Sequence, residues 1–204
     1  LEPIWTNSDH WTDGHSFWDG VAHYVKHQGL TGSFSIEFSC YADAPRMDHL
    51  INMKRNIISA HELGRRGVPV VLDAMGRNLN DIRRMVQWGR KYGIKWFVLN
   101  FQHMIAVPWL LDMVRERTEL VLELGGNVII SGFADLNVVG SLTDRYGSRI
   151  SITNTRVSMS TNYYRKFVNN QWQKITEPHS QTELFEHNLN TYCETTGMTR
   201  GLKI

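Results

Sequence analysis

The sequence predicts an α/β protein, in which a mainly parallel sheet of about five strands alternates with helices and is followed by a C-terminal β-hairpin and helix. Short apolar runs recur between amphipathic helical stretches, and a glycine closes most of those stretches. Two of the runs, Val70-Val-Leu and Val128-Ile-Ile, lack alternation, which is typical of parallel strands buried on both faces. A complete barrel of eight units needs about 250 residues. We therefore expect an open sheet or an incomplete TIM-like barrel.

The first strand-helix-strand unit sets this fold. An alternating run at 33–39 predicts a strand, and an apolar run at 68–73 predicts its parallel neighbour. Between them, Asp43 is suited to cap a helix and Pro45 to occupy its first turn. Gly67 can adopt the left-handed conformation that ends a helix.

The same rhythm continues after the first unit. Further helices are predicted to begin at Asn80-Asp81, at Val107 with Pro108 in its first turn, and at Asp135, and to end at Gly93, Gly125 and Gly147. The strands that follow them are predicted at 94–100, 127–133 and 149–154. The first of these helices should direct Ile82, Met85 and Val86 towards the core.

The two ends of the chain differ from this core. At the start, 16–29 predicts a helix with Ser16 as its cap and Phe17, Val21, Tyr24 and Val25 on one face. At the end, runs at 162–168 and 171–175 around Asn169-Asn170 predict a hairpin, and Ser180 begins a helix that reaches about Thr195. We expect one domain with three parts: 1–32, 33–156 and 157–204.

Composition bounds the functional classes. The chain has 204 residues, 42% of them hydrophobic and 21% charged, with no apolar run near the ~20 residues of a membrane span and no signal-peptide pattern. We expect a cytoplasmic protein with no membrane partner. The Leu1-Glu2 start suggests a trimmed or processed chain. Motifs for nucleoside triphosphates, dinucleotides, zinc proteases, serine hydrolases and iron–sulfur clusters are absent, so those classes are not expected.

Charge is unevenly distributed. The segment from Lys54 to Lys95 contains ten Lys or Arg residues and only three Asp or Glu residues, whereas the net charge of the whole chain is only +2. This basic surface is suited to phosphates, although solvated helix faces have the same composition. In the hairpin, Arg165, Lys166 and Trp172 are candidates for nucleic-acid binding, with packing at the domain edge as the alternative.

Candidate site residues follow the strands, because ligands bind beyond the carboxyl ends of parallel strands. The catalytic candidates are Asp73, Asp135 and His103, and the substrate-binding candidates are Tyr41, Asp43, Arg77, Asn100, Asn154 and Arg156. Two carboxylates can divide acid, base and nucleophile roles, His can exchange protons near neutral pH, and Arg can hold a phosphate. Helix capping and turn formation are the alternatives for several of them.

Cofactor predictions are limited. A hydrolytic reaction would be compatible with a divalent ion between Asp73 and Asp135. His15, His23 and His27 suggest a metal site, but no Cys or acidic pair nearby completes a tetrahedral set, so solvated histidines are favoured.

Part of the first unit also resembles a known family. Tyr41-x-Asp43-x-Pro45, then Asn52, Arg55-Asn56 and Gly67, resembles the Domain of Unknown Function 4417, an uncharacterised family of phages and mobile elements. Where that family has Pro-Asn at the end of the second strand, this chain has Leu72-Asp73. The resemblance implies a phage or mobile-element setting and no particular reaction.

The stripe formed by Asn52, Arg55 and Asn56 lies on one helix face. We expect it to tie the helix to the preceding turn by buried hydrogen bonds, with substrate contact as the alternative.

Two hypotheses about the function of the protein remain. One is an enzyme acting on a nucleotide or nucleic acid by carboxylate-assisted hydrolysis or glycosyl exchange, with Asp73 leading. The other is a non-catalytic factor that binds nucleic acid or protein through the basic surface and the hairpin.

Overall fold

A computed structural model describes residues 14–38, 44–101, 109–132, 136–153, 163, 165–169, 171–175 and 180–196. The chain divides into two compact units, one up to Phe97 and the other from Val98 on, and each is described by itself. The boundary falls within the third strand.

The described elements follow the predicted alternation. The helices are α1 (Gly14–His27), α2 (Arg46–Gly64), α3 (Leu79–Lys91), α4 (Leu110–Glu123), α5 (Leu136–Tyr146) and α6 (Gln181–Thr196), with a 3-10 turn at Gly147–Arg149. The strands are β1 (Ser33–Phe34), β2 (Val70–Asp73), β3 (Trp96–Asn100), β4 (Asn127–Ser131), β5 (Ile150–Thr153), β6 (Arg165–Val168) and β7 (Gln171–Lys174).

The sheet confirms the predicted fold class. Its five strands lie in the order β1-β2-β3-β4-β5, and it is open rather than closed into a barrel. The register is parallel where Ser33 faces Val70 and where Val128 faces Ile150. A separate antiparallel hairpin joins β6 to β7, and Asn169 turns it with a φ of 49°. Asn tolerates that left-handed conformation, as the Asn pair predicted.

The core of the first unit begins with α1. Trp18, Ala22 and Val25 pack against Leu63 of α2 and Val68. Two predictions about this helix are wrong. Tyr24 is 61% exposed because the buried face follows the 18, 22, 25 spacing, and Ser16 lies inside a helix that already begins at Gly14.

Helix α3 carries the most regular apolar face. Ile82, Met85 and Val86 are fully buried, as predicted. The helix begins earlier than expected, since Asn78 is its cap and accepts a hydrogen bond from the Asp81 N–H at 3.0 Å. The side-chain oxygen of an Asn at the N-cap accepts from a backbone N–H two or three residues later in the sequence, and that N–H has no partner within the helix.

The ends of β1 and α2 also differ from the prediction. Strand β1 is short because the N–H groups of Ile36 and Phe38 donate to side chains of α2 rather than to a neighbouring strand. Pro45 precedes α2 as its N-cap instead of lying in the first turn. Gly67 does adopt the left-handed conformation, with a φ of 73°.

The second unit holds α4, β4, α5 and β5, together with the hairpin and α6. Helix α4 is described from Leu110, and the predicted start at 107–108 lies outside the described residues. Arg149 secures the turn after α4 by donating to the carbonyls of Leu122 and Gly126 at 2.6 and 2.7 Å. None of the described helices is long and apolar enough to be a membrane span.

Candidate functional site

The candidate site is centred on Asp73, the last residue of β2. Val71 and Leu72 are buried, and the strand carries the Asp73 side chain into the same interior, where only 2% of the residue remains exposed. Among the described residues, no Lys or Arg forms an ion pair with this carboxylate. A buried carboxyl without a counter-charge is costly to ionise, so its presence at a strand end calls for an explanation.

Three neighbours fix the position of Asp73. Its backbone N–H donates to Ser35 Oγ at 2.8 Å, which joins β2 to the residue after β1. The Met75 N–H donates to Asp73 Oδ1 at 2.9 Å, and Asn56 Nδ2 lies 3.5 Å from Oδ2. Because 3.5 Å is at the limit of a hydrogen bond, Oδ2 is the weakly engaged oxygen and the better position for a proton.

The environment shifts the titration of this group. Burial raises the pKa of Asp73 from 3.8 to about 7. The Met75 N–H lowers the pKa and the nearby negative charge of Glu37 raises it, and both effects are smaller than that of burial. A carboxyl with a pKa near 7 can both release and accept a proton at neutral pH.

Helix α2 supports the site from behind. Asn56 is buried, and its Oδ1 accepts from the Phe38 N–H at 2.9 Å while its Nδ2 points to Asp73. Ser59 is also buried, accepts from the Ile36 N–H at 3.0 Å and donates to the Asn56 carbonyl at 2.8 Å. The backbone N–H groups of Ile36 and Phe38 therefore bind side chains of α2 instead of a neighbouring strand. Asn56 and Ser59 thus connect α2 to the segment that follows β1.

The rest of the polar stripe is more open. Arg55 is exposed, donates to Asn52 Oδ1 at 3.3 Å, and lies over the Phe38 ring with its guanidinium carbon 5.6 Å from the ring centroid. The turn at 41–43 lies outside the described residues.

A bidentate ion pair stands beside the candidate site. Arg46, at the start of α2, donates through both terminal nitrogens to Asp81 of α3, each at 2.6 Å. Asp81 is fully buried and also accepts from the Arg77 N–H at 3.1 Å. The hydrogen bonds from Arg46 hold the pKa of Asp81 below its ordinary value despite burial. The two acidic residues of this region are thus opposite in character, one ionised and one poised to titrate.

The other predicted site residues divide between the two units. Arg77 is exposed in the first unit, and Asn100 is half-buried at the end of β3 in the second. The remaining candidates, Asp135, His103, Tyr41, Asp43, Asn154 and Arg156, lie outside the described residues. Their convergence on Asp73 stays a prediction.

The hairpin residues belong to the second unit. Phe167 is buried against Tyr192, and Trp172 packs on Phe167 with ring centroids 4.8 Å apart. Arg165 is exposed and Lys166 half-buried. Asn188 of α6 fixes the hairpin by accepting from the Phe167 N–H and donating to the Arg165 carbonyl. The role of Arg165, Lys166 and Trp172 in nucleic-acid binding stays a prediction.

Sequence reasoning missed four residues around Asp73 and Asp81: Ser35, Glu37, Arg46 and Ser59. Only two sequence features could have identified any of them: Ser35 lies in an alternating run, and Ser59 interrupts an apolar face of α2. Small hydroxyl residues at buried positions often satisfy backbone groups. The pairing of Arg46 with Asp81 spans 35 positions and has no local signature.

Metal binding has no structural support in the described part of the chain, where no three His, Cys, Asp or Glu side chains are grouped to hold an ion. The His23 and His27 rings lie 5.8 Å apart on the exposed side of α1. Asp135, the second half of the suggested carboxylate pair, is outside the described residues.

No protein-family model matches the chain, and no curated protein matches it.

Proposed function

We propose that this protein is an enzyme in which Asp73 is the catalytic acid–base and the substrate is a nucleotide or nucleic acid. The observation that carries the proposal is the buried Asp73 carboxyl at the carboxyl end of a parallel strand, with a pKa raised to about 7. Strand ends of this kind are where open α/β sheets place their ligands, and strongly shifted carboxyls cluster at active sites.

The geometry assigns different tasks to the two carboxyl oxygens. Oδ1 is engaged by the Met75 N–H, and Oδ2 has only the long contact from Asn56. In the protonated form, Oδ2 can donate to a leaving oxygen, and in the ionised form it can accept a proton from water. These steps support carboxylate-assisted hydrolysis. If Oδ2 instead attacked the anomeric carbon of a nucleoside sugar while the bond to the base broke, and a second base then displaced the carboxylate, the reaction would be glycosyl exchange.

The proposed substrate class follows from the positive charge on the exposed side of α3. The exposed positions of α3 include Arg83, Arg84, Arg90 and Lys91, whereas its one acidic residue, Asp81, is buried and paired. The exposed side of this helix is therefore positive, which favours phosphate-bearing substrates. The resemblance to the Domain of Unknown Function 4417 adds a phage or mobile-element setting to the proposal, and action in the host cytoplasm.

The test is a paired activity screen. The full chain and its Asp73→Asn variant are incubated at pH 7 with nucleotides, nucleosides, DNA and RNA, and products are separated by chromatography. Asp48→Asn, at an exposed position of α2, is the matched control. We expect turnover of one substrate class by the wild type and the control, with at least a hundredfold loss in Asp73→Asn. Equal turnover by Asp73→Asn would contradict the proposal.

A second candidate function is nucleic-acid binding without catalysis, and the positive side of α3 favours it. Its test is polynucleotide affinity measured against salt. Arg83→Glu with Arg84→Glu should weaken binding and reduce its salt dependence, because fewer counterions are then released. Undetectable affinity for DNA and RNA at low salt would contradict this function.

A further inference from the structure

A cavity of about 610 Å³ lies in the first unit, at the amino ends of β2 and β3. The last turns of α2 and α3 and the residues before β1 complete its wall. Asp73 ends β2 on the other side, so this cavity is separate from the candidate catalytic site. Its volume is within the range of about 300–1,000 Å³ that is usual for small-molecule sites.

Aromatic rings form one side of this cavity. Trp88 and Tyr92 are neighbours at the end of α3, with centroids 4.7 Å apart and planes inclined by 36°, and Trp96 begins β3. Trp88 and Trp96 are half-buried and Tyr92 is largely exposed, so their ring faces are not consumed by the core. The Tyr92 ring also has Lys91 Nζ at 5.9 Å from its centroid, so the two tryptophans are the rings on which a planar base can stack.

Positive charge forms the other side. Arg65 and Lys95 line the cavity together with the His61 ring, and none of the described lining residues is acidic. The Glu62 carboxylate contacts two of these residues, Arg65 at 3.4 Å and His61 at 3.7 Å, but it binds Arg66 more closely, at 2.6 Å. Two helix C-termini also meet this region, but each carries only about half a negative charge. The full charges of Arg65 and Lys95 therefore leave the cavity positive.

We infer that this cavity binds a nucleobase together with its phosphate, with the base on the Trp88–Tyr92–Trp96 side and the phosphate beside Arg65 and Lys95. The combination of ring faces and positive charge favours a ligand that is both planar and anionic. A free nucleotide and the phosphorylated end of a single strand present the same chemistry. The inference does not depend on catalysis by Asp73.

The test is calorimetric titration of the full chain with AMP, adenosine and inorganic phosphate. AMP should bind at least about tenfold more tightly than either part, because only AMP uses both sides of the cavity. Tetranucleotides with a 5′-phosphate or a 5′-hydroxyl then distinguish the two sources. Preference for the phosphorylated strand over AMP assigns a strand end, and the reverse assigns a free nucleotide.

Variants locate the binding. Lys95→Glu should lower the AMP affinity at least about tenfold, and Trp88→Leu at least about fivefold. Arg115→Glu, an equal charge change on an exposed position of α4, should leave it within twofold. Circular dichroism checks that Trp88→Leu is folded, and Lys95→Glu is at an exposed position that does not endanger folding.

Four results would overturn the inference: no AMP binding, equal affinity for AMP and adenosine, equal losses in Lys95→Glu and Arg115→Glu, or loss of AMP binding in Asp73→Asn. The last of these would place the ligand at the candidate catalytic site. Conversely, AMP binding that survives Asp73→Asn but is weakened by Lys95→Glu supports this cavity even if the activity screen fails.

Discussion

The side chain of Asn56 lies 3.5 Å from the Asp73 carboxylate, measured from Nδ2 to Oδ2, while its own carbonyl oxygen holds the Phe38 N–H. One amide therefore links α2, the segment after β1 and the end of β2. The Asn56 and Asp73 side chains are both buried, so bulk water cannot replace their hydrogen-bond partners without rearrangement.

Removal of this amide should destabilise the first unit. Asn56→Ala leaves the Phe38 N–H unsatisfied, and we expect the free energy of unfolding to fall by about 2 kcal/mol. Asn52→Ala, on the same helix but not fully buried, is the matched control and should cost less than about 1 kcal/mol. Urea denaturation of the two variants measures both values. Equal losses would show that the amide has no special role.

The pH dependence of stability follows from Asp73. Its pKa is about 7 in the folded protein and near 3.8 when unfolded, so the folded state binds the proton more tightly. Its contribution to the free energy of unfolding is therefore highest below pH 4, declines by about 1.4 kcal/mol per pH unit up to pH 7, and is constant above. The total decline is on the order of 4 kcal/mol.

Asp73→Asn isolates this contribution, because the amide cannot ionise. Urea denaturation at pH 5, 6, 7 and 8 should show the variant gaining stability relative to the wild type as pH rises. Other titrating groups are common to both proteins and cancel in the difference. A difference that is independent of pH would refute the shifted pKa.

The ion pair between Arg46 and Asp81 should have the opposite pH dependence. Arg46→Ala leaves a buried carboxylate without its cation, and we expect a loss of about 3 kcal/mol at pH 7. Because Arg46 lowers the pKa of Asp81, this stabilisation is present above pH 4 and is lost as pH falls further. Arg46→Lys, which keeps the charge without the bidentate geometry, should be intermediate. Thermal unfolding at pH 7 and pH 3 checks the order and whether the differences become smaller in acid.

Close packing at Gly89 gives a further prediction. A Cβ at this position would lie 2.6 Å from Phe97 Cε1 and 3.2 Å from Leu72 Cδ2, so Gly89→Ala should destabilise by about 1–3 kcal/mol. At Gly64, no heavy atom lies within 4 Å of the corresponding Cβ, and Gly64→Ala should stabilise by about 0.5–1 kcal/mol. Chemical denaturation of both variants tests the contrast, and an equal sign for the two would contradict the packing.

The parts of the fold that sequence predicted are those with local causes. Ile82, Met85 and Val86 were assigned to the core by helical spacing, and Asn169 to the turn by its tolerance of positive φ. Tyr24 was misassigned, because a face chosen by spacing alone cannot show which side of α1 meets Leu63.

The candidate site was only partly predictable. Asp73 was identified because it ends an apolar run, and a strand end is a local feature. Ser35 and Ser59 were not identified, and Asn56 was expected to bind the preceding turn rather than Asp73, because these three side chains reach their partners across 17 to 38 positions. The raised pKa of Asp73 depends on burial, which arises only when β2 is enclosed.

The proposed acid–base role of Asp73 depends most directly on the pH at which its carboxyl ionises. Carbon-13 NMR of the side-chain carboxyls from pH 3 to pH 9, with Asp73→Asn to assign the resonance, measures it in the intact protein. We predict a carboxyl that titrates near pH 7 and is missing from the spectrum of the variant. If the Asp73 resonance instead titrates below about pH 5, at an ordinary carboxyl value, Asp73 is not poised for proton transfer at neutral pH and its assignment as the catalytic acid–base is wrong.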